Sequence, residues 1–253
     1  VLTVLHLGIK LRKIKDKKNI SIALFVIGLL GFVLVVQTAD LGGQLVYKYG
    51  VGVQADSQTK VKEFESVDRI GSTGFIRDKD GSWQLLPSEE INSVFSDKLI
   101  WLEGSADDVN AQFTTLYDNE QVLSLNLTDS PVLFVAGNNL ASVQGEIGIN
   151  LCNFNGTVSL VHHVQDKINY DYFSINDNQF KLGRVEKGVD KIISEKSATH
   201  DCWVNLRVVG DGRHFRGYLN DELLLHGHAK DFPPGVNGLR IDGSGIIYLK
   251  KLS

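Results

Sequence analysis

Two hydrophobic periodicities divide the chain. Between Lys18 and Asp40 lie 21 uncharged residues, NISIALFVIGLLGFVLVVQTA, most of them Ile, Leu, Val or Phe. A helix of that length rises about 31 Å at ~1.5 Å per residue, which matches a bilayer hydrocarbon core of about 30 Å. A buried helix of a globular protein would carry a polar stripe, whereas the interior of this run offers only Ser21 and the small Gly28 and Gly31. A signal peptide has an apolar stretch of only about 7–15 residues and a small-residue cleavage site, a poorer match. The pattern predicts a transmembrane helix with its exit segment over 19–48.

Beyond Leu85 the period falls to two, most clearly in Val158-Ser159-Leu160-Val161, Phe180-Lys181-Leu182, Val204-Asn205-Leu206-Arg207-Val208 and Phe215-Arg216-Gly217-Tyr218-Leu219. Such alternation marks half-buried strands. The runs are separated by turn chemistry, Asn155-Gly156, Gly210-Asp211-Gly212, Asn220-Asp221 and Gly243-Ser244-Gly245, with no long helical stretch between them. The expected fold class is therefore mainly β, an antiparallel sandwich over 85–253 preceded by a transmembrane α-helix. Residues 49–84 are polar and mixed in charge and predict a linker with one short strand near Phe75. Asp78-Lys79-Asp80-Gly81 lacks the third oxygen ligand and the closing Glu of a calcium loop, so a surface turn is expected there.

Charge orients this arrangement. The net charge is −4, but Lys10 to Lys18 (KLRKIKDKK) holds six basic residues and one acid, so the remainder is more acidic than the net value implies. An acidic body has no broad basic face for phosphates, which argues against a nucleic-acid partner. The basic segment 10–18 sits immediately before the apolar run, so the positive-inside rule makes it a cytoplasmic loop and places everything after Asp40 outside. Residues 1–9 (VLTVLHLGI) are apolar and would fit the end of an earlier membrane helix; the chain contains no Met and begins at Val1, and an N-terminal part is expected to precede it. His6 in this stub has no visible partner and is expected at an interface. The resulting address is a bacterial inner membrane with the C-terminal domain periplasmic or extracellular, and with the lipid bilayer and other membrane helices as partners.

Two resemblances add to this reading. Leu41-Gly42-Gly43 followed by Tyr49-Gly50-Val51-Gly52-Val53 resembles the last helix and exit loop of a family of uncharacterised bacterial four-helix membrane proteins, over roughly 9–53. That likeness supports topology; such bundles are suspected of redox chemistry, so haem in helices preceding Val1 stays open while no cofactor is predicted for the chain itself. Further on come Cys202-Trp203-Val204, Phe215-Arg216-Gly217-Tyr218-Leu219-Asn220-Asp221, Pro234-Gly235-Val236-Asn237-Gly238-Leu239 and Gly245-Ile246-Ile247-Tyr248-Leu249. This order is similar to the C-terminal half of a concanavalin A-like (laminin G-type) jelly roll. The resemblance implies a jelly-roll sandwich; its motifs are turns and core positions, which speak for fold and not for activity.

Catalytic spacing is missing from the sequence. The glucanases of that fold resemble one another in Glu-x-Asp-x-x-Glu, and here Glu89-Glu90, Asp107-Asp108 and Asp221-Glu222 are adjacent pairs whose members point to opposite faces of a strand. There is no Gly-x-Ser-x-Gly, His-Glu-x-x-His or phosphate loop either. The densest polar and aromatic group is His162-His163 with Asp166, Tyr170, Tyr172 and, further on, Arg184. Strand alternation sends His162 and His163 to opposite faces, so one expectation is a core His beside a solvated one. The other is a glycan or peptide site in which a Tyr stacks and Asp166 or Arg184 donates or accepts hydrogen bonds. His226-Gly227-His228 places two imidazoles on one strand face, but two ligands do not complete a zinc site, and no metal is predicted.

Cys152 and Cys202 are the only cysteines. An extracytoplasmic address permits a bridge, which would close a loop of ~50 residues and stabilise the fold by about 4 kcal/mol in the chain-entropy model; two buried free thiols are the alternative. Trp203 opens a strand whose Val204, Leu206 and Val208 share one face, so it is expected to cover the other face or the end of the core and to be worth ~3–5 kcal/mol. The function that follows is a membrane-anchored extracytoplasmic binding module for a glycan or envelope protein. A saccharide-active enzyme on the same sandwich and an accessory subunit of a membrane redox complex are the alternatives.

Overall fold

The structure is a computed structural model that describes residues 74–211 and 213–253, together with eight helical residues between 27 and 38. The chain divides into two units, Val1–Val67 and Asp68–Ser253. In the first, Ile27, Phe32, Leu34 and Val35 are helical and exposed, and Thr38 Oγ1 donates to the Leu34 carbonyl at 2.7 Å. Among the described residues no helix is long and apolar enough to cross a membrane. Most of the apolar run, the stub 1–9 with His6, the basic loop 10–18, the Gly42-Gly43 exit and the linker up to residue 73 lie outside the described residues.

The second unit is a mainly β sandwich organised by two long strands. β7 (Ser142–Asp166) and β14 (Gly235–Leu252) pair antiparallel along nearly their full lengths, from Val236↔Val164 to Leu252↔Ile147. Each bends from one sheet into the other. In the first sheet β14 is flanked by β6 (Val132–Leu140) and then β3 (Ile100–Glu103), and β7 by β8 (Asn169–Asn176), β9 (Gln179–Glu186) and β10 (Val189–Ser197). In the second, β14 is flanked by β5 (Gln121–Leu127) and β4 (Ala111–Thr115), and β7 by β11 (Trp203–Asp211), β12 (His214–Leu219) and β13 (Glu222–His228).

The bend explains a departure from the sequence reading. Asn155-Gly156 and Gly243-Ser244-Gly245 are not turns between strands but the corner inside both. Gly156 and Gly243 face each other across the ladder with φ of +152° and +146°, and a Cβ on Gly156 would lie 2.6 Å from the Gly243 Cα. Only residues without a side chain allow the two backbones to approach and turn together there.

Facing side chains of the two sheets close on one core. Val158, Leu160, Phe173, Phe180 and Leu182 from the first meet Ile147, Val204, Leu206, Val208 and Phe215 from the second, all almost fully buried. A short helix absent from the period-two reading, α1 (Ile91–Asp97), adds Ile91, Val94 and Phe95, the spacing of one helical face. Phe95 packs on Phe134 and Trp101, and the Trp101 indole donates to the Phe95 carbonyl at 2.8 Å. A single turn of helix, α2 (Ala106–Val109), follows β3.

The β fold also begins earlier than 85. β1 (Phe75–Arg77), the short strand expected near Phe75, pairs in a hairpin with β2 (Trp83–Leu85), which begins inside the segment 49–84 read as linker. Trp83 and Leu85 are buried, with the Trp83 indole donating to Asn237 Oδ1 at 3.2 Å. The tip of the hairpin is the Asp78–Gly81 turn, where Asp80 Oδ1 accepts from the Ser82 backbone and hydroxyl.

Cys152 and Cys202 are joined by a disulfide with Cα atoms 5.0 Å apart, at the β7–β11 end of the second sheet. Trp203 faces away from Val204, Leu206 and Val208, as the alternation requires, yet it is only half-buried, with the Lys250 ammonium 4.0 Å from its ring centroid. Its value to the fold is accordingly smaller than that of a core anchor.

Candidate functional site

The residues that sequence reasoning grouped into one site occupy three places. On β8, alternation sends Asp171, Phe173 and Ile175 into the sandwich and Tyr170, Tyr172 and Ser174 to the outer face of the first sheet. Asp166 belongs to neither. It sits in the exposed β7–β8 turn, where its carboxylate accepts from the Ile168 backbone and the Asn169 amide, a role that is structural.

Inside, His162, His163, Asp171 and Arg184 form a polar cluster with exposures between 0 and 7%. Arg184 grips Asp171 through Nε and Nη2 at 2.6 and 3.1 Å and donates Nη1 to the Lys230 carbonyl at 2.8 Å, with Phe232 stacked at 4.3 Å. His163 Nδ1 lies 3.1 Å from Asp171 Oδ2 and 3.0 Å from His162 Nδ1, and its Nε2 lies 3.1 Å from the Ala141 carbonyl. Carbonyl and carboxylate only accept, so both hydrogen bonds form when both ring nitrogens carry protons.

The expectation that only one of the two histidines faces inward does not hold. β7 and β8 pair regularly to His162↔Asp171 and resume at Asp166↔Asn169, so extra residues of β7 bulge out between them. His163 takes φ of +50° in that bulge, which swings its ring to the same side as His162. Space for both rings comes from the facing sheet: a Cβ on Gly210 would lie 3.0 Å from the His162 ring and 3.1 Å from that of His163.

Electrostatics follow from this enclosure. Burial pushes the His162 imidazole down to about 3, with the His163 and Arg184 charges acting the same way against the favourable pull of Asp171. Burial opposes the charge of Asp171, yet its hydrogen bonds from His163 and Arg184 hold the carboxyl below the usual carboxylate range. His162, His163 and Asp171 have ligand atoms close enough for a metal, but Arg184 already satisfies the carboxylate and adds a fixed positive charge beside it. His162 Nε2 is buried without a hydrogen-bond partner. The cluster ties β7, β8 and β9 to the loop before β14 and is closed to any substrate.

Outside, the same strands line an open groove of about 400 Å³. Tyr170 and Tyr172 form its floor, packed beside Leu133, Val135 and Val161 on the same face of the sheet. Thr157, Ser159 and Ser174 add hydroxyls, Asn176 and Gln179 amides, and Lys181 an ammonium. Arg240 and Asp190 mark its charged positions. The Tyr172 hydroxyl donates to Asp190 Oδ1 at 2.8 Å, and burial followed by that carboxylate pushes the phenol pKa up. Burial works against the charge on Arg240, but its hydrogen bond with Glu103 and the nearby acids carry its pKa above the ordinary value.

Asp171, Asp190 and Arg240 were not singled out from sequence. Asp171 had a readable signal, since it shares a strand face with Phe173 and Ile175 and a carboxylate on a core face requires a partner. Asp190 and Arg240 reach the groove only through pairing across β10 and β14, which no local pattern displays. A second depression of about 420 Å³ lies by α1, α2 and β5, lined by Asn92, Ser96, Asp107, Asn110 and Asn126 with no aromatic ring.

No family model matches the chain, and no curated protein matches it. Among solved structures it is similar to the carbohydrate-binding module CBM66 from Bacillus subtilis, at 18% identity and a TM-score of 0.47 over 61% of this chain and 95% of that one. It is also similar to a β-glucanase from Bacillus licheniformis, at 10% identity and a TM-score of 0.44 over 69% of this chain and 98% of that one. A carbohydrate esterase of the Shiga toxin-encoding bacteriophage phi24B gives 10% identity and a TM-score of 0.45 over 67% of this chain and 94% of that one. These likenesses are remote, and the description of the fold rests on the strand pairing above.

Proposed function

We propose that the chain is a membrane-anchored binding module whose sandwich, of the jelly-roll, concanavalin A-like kind that its turn motifs resemble, lies outside the cytoplasm and binds a glycan in the groove over Tyr170 and Tyr172. The observation that carries this is the lining: hydroxyl, amide, ammonium and carboxylate groups around a two-tyrosine floor. A saccharide presents many hydroxyls, each able to donate and accept, above apolar ring faces, and such a mixed polar and aromatic surface complements it. Of the residues lining the groove, Asp190 is the one carboxylate, so the acid and base pair of glycoside hydrolysis is not assembled there. Anchoring and orientation rest on the apolar run 19–39 and the basic segment before it.

A glycan array probed with the full chain in detergent, followed by a titration of the best ligand, tests the binding. The Gln179→Ala, Lys181→Ala double variant is expected to fold as the parent and to lose most of the affinity, whereas undiminished binding would refute the groove. Orientation is read separately. An alkaline phosphatase fused after Ser253 should be active and a cytoplasm-dependent fluorescent reporter there should be dark; the opposite pair would place the sandwich inside.

A further inference from the structure

A second histidine cluster, on the second sheet and independent of the groove, has the geometry of a metal site. His226 and His228 are two apart on β13 and share the exposed outer face of the hairpin. His214 on β12 joins them because of an irregularity in the ladder. From the Asn220-Asp221 turn the hairpin pairs Leu219↔Glu222 and Tyr218↔Leu223, but then Gly217↔Leu225, so Leu224 is an extra residue. Without that bulge His214 would stand opposite Gly227, on the face away from the other two. With it, His214 stands opposite His228, with Arg216 opposite His226.

The register is pinned from behind. Gly227, between the two histidines, turns its back to β10, where a Cβ would lie 2.4 Å from Ile193 Cγ2. A side chain at that place would force Ile193 or the hairpin to shift, and with Gly227 facing inward His226 and His228 face outward. The three rings lie with centroids 4.6, 4.6 and 6.1 Å apart, and one ligand nitrogen from each falls within 4.8 Å of the others.

We infer that His214, His226 and His228 bind a divalent transition-metal cation of the zinc, copper and nickel class. Metal–nitrogen bonds of ~2.0–2.1 Å require nitrogens ~3–4 Å apart, which small rotations of exposed imidazoles supply. A donor set of three imidazoles suits these borderline cations, whereas calcium and magnesium take oxygen ligands. Three protein ligands leave the remaining position to water. The facing charges are Asp211 on β11, opposite His214, and Arg216 on β12, opposite His226; Arg213 is occupied by Asp231 at 3.4 Å.

The test is calorimetric titration of zinc into the metal-stripped full chain in detergent, with cobalt absorbance reporting coordination. One zinc per chain is expected, and His214→Gln should weaken it at least about tenfold. Replacing all three histidines by Gln should abolish binding, while His200→Gln, outside the cluster, should bind as the parent. The three rings are exposed, so the metal-free thermal midpoints of the parent and the triple variant should agree, and zinc should raise the midpoints of the parent and His200→Gln but not that of the triple variant. Retention of the zinc by the triple variant, or no saturable binding to the parent below about 1 mM, would overturn the assignment.

Discussion

The two faces of β8 carry the same kinds of side chain to opposite ends. Facing inward, Asp171 is held by Arg184 and His163 in a cluster with every strong acceptor engaged and no access from solvent. Facing outward, Tyr170, Tyr172 and Ser174 form the largely covered base of a groove whose exposed groups are Asn176, Gln179 and Asp190. Adjacent residues in the chain are therefore separated by a sheet. The lesson is that density of polar residues along a strand does not define a site; the face does, and bulges change which face a residue takes.

The inner cluster offers the largest effect. Arg184→Met leaves the Asp171 carboxylate buried without its main partner, and a stability loss of about 3–5 kcal/mol is expected from urea unfolding. Adding Asp171→Leu should recover part of it, since two apolar residues leave no stranded charge. If Arg184→Met were neutral, the cluster would not be the brace described here.

Acid should weaken the inner face next. His162 stays neutral in the fold down to about pH 3, against 6.5 in the unfolded chain, so between those values only the unfolded chain takes up the proton. Stability then falls as pH drops from about 6.5 toward 3, by up to about 1.4 kcal/mol per pH unit. Asp171, with its folded pKa lowered from 3.8, adds a loss of the same sign at the acid end of that window. The urea midpoints of the parent and His162→Gln should converge as pH is lowered from 7 to 4; a constant gap would mean that His162 is not held neutral.

Smaller effects belong to the outer faces. Trp203→Ala loses a half-buried ring and its Lys250 contact, for which about 1–2 kcal/mol is expected in the same unfolding assay. Tyr172→Phe removes one hydrogen bond to Asp190 and should cost about 1 kcal/mol while altering ligand affinity. A change in stability as large as that of Arg184→Met would assign Tyr172 to the core.

Much of the sandwich was legible because period-two alternation sets side-chain direction directly. Val204, Leu206 and Val208 face the core and Trp203 faces out, as their spacing requires. Positions governed by partners were not legible. Gly156 and Gly243 read as turn residues, but only their mutual pairing shows that they are a corner within continuous strands. His163 changed face through one bulge and His214 through another, so neither cluster could be assembled from local periodicity. The short helix α1 escaped because Ile91, Val94 and Phe95 complete less than two turns, too few to establish a period of 3.6.

The division between the two faces is tested most directly by amide chemical-shift mapping of the isotope-labelled full chain in detergent during titration with the saccharide selected on the array. Shifts are expected at Tyr172, Asn176, Gln179 and Lys181, with the His162 and Arg184 amides moving far less. Shifts centred instead on Asn92, Asn110 and Asn126 would move the ligand to the depression beside the helices and contradict the groove.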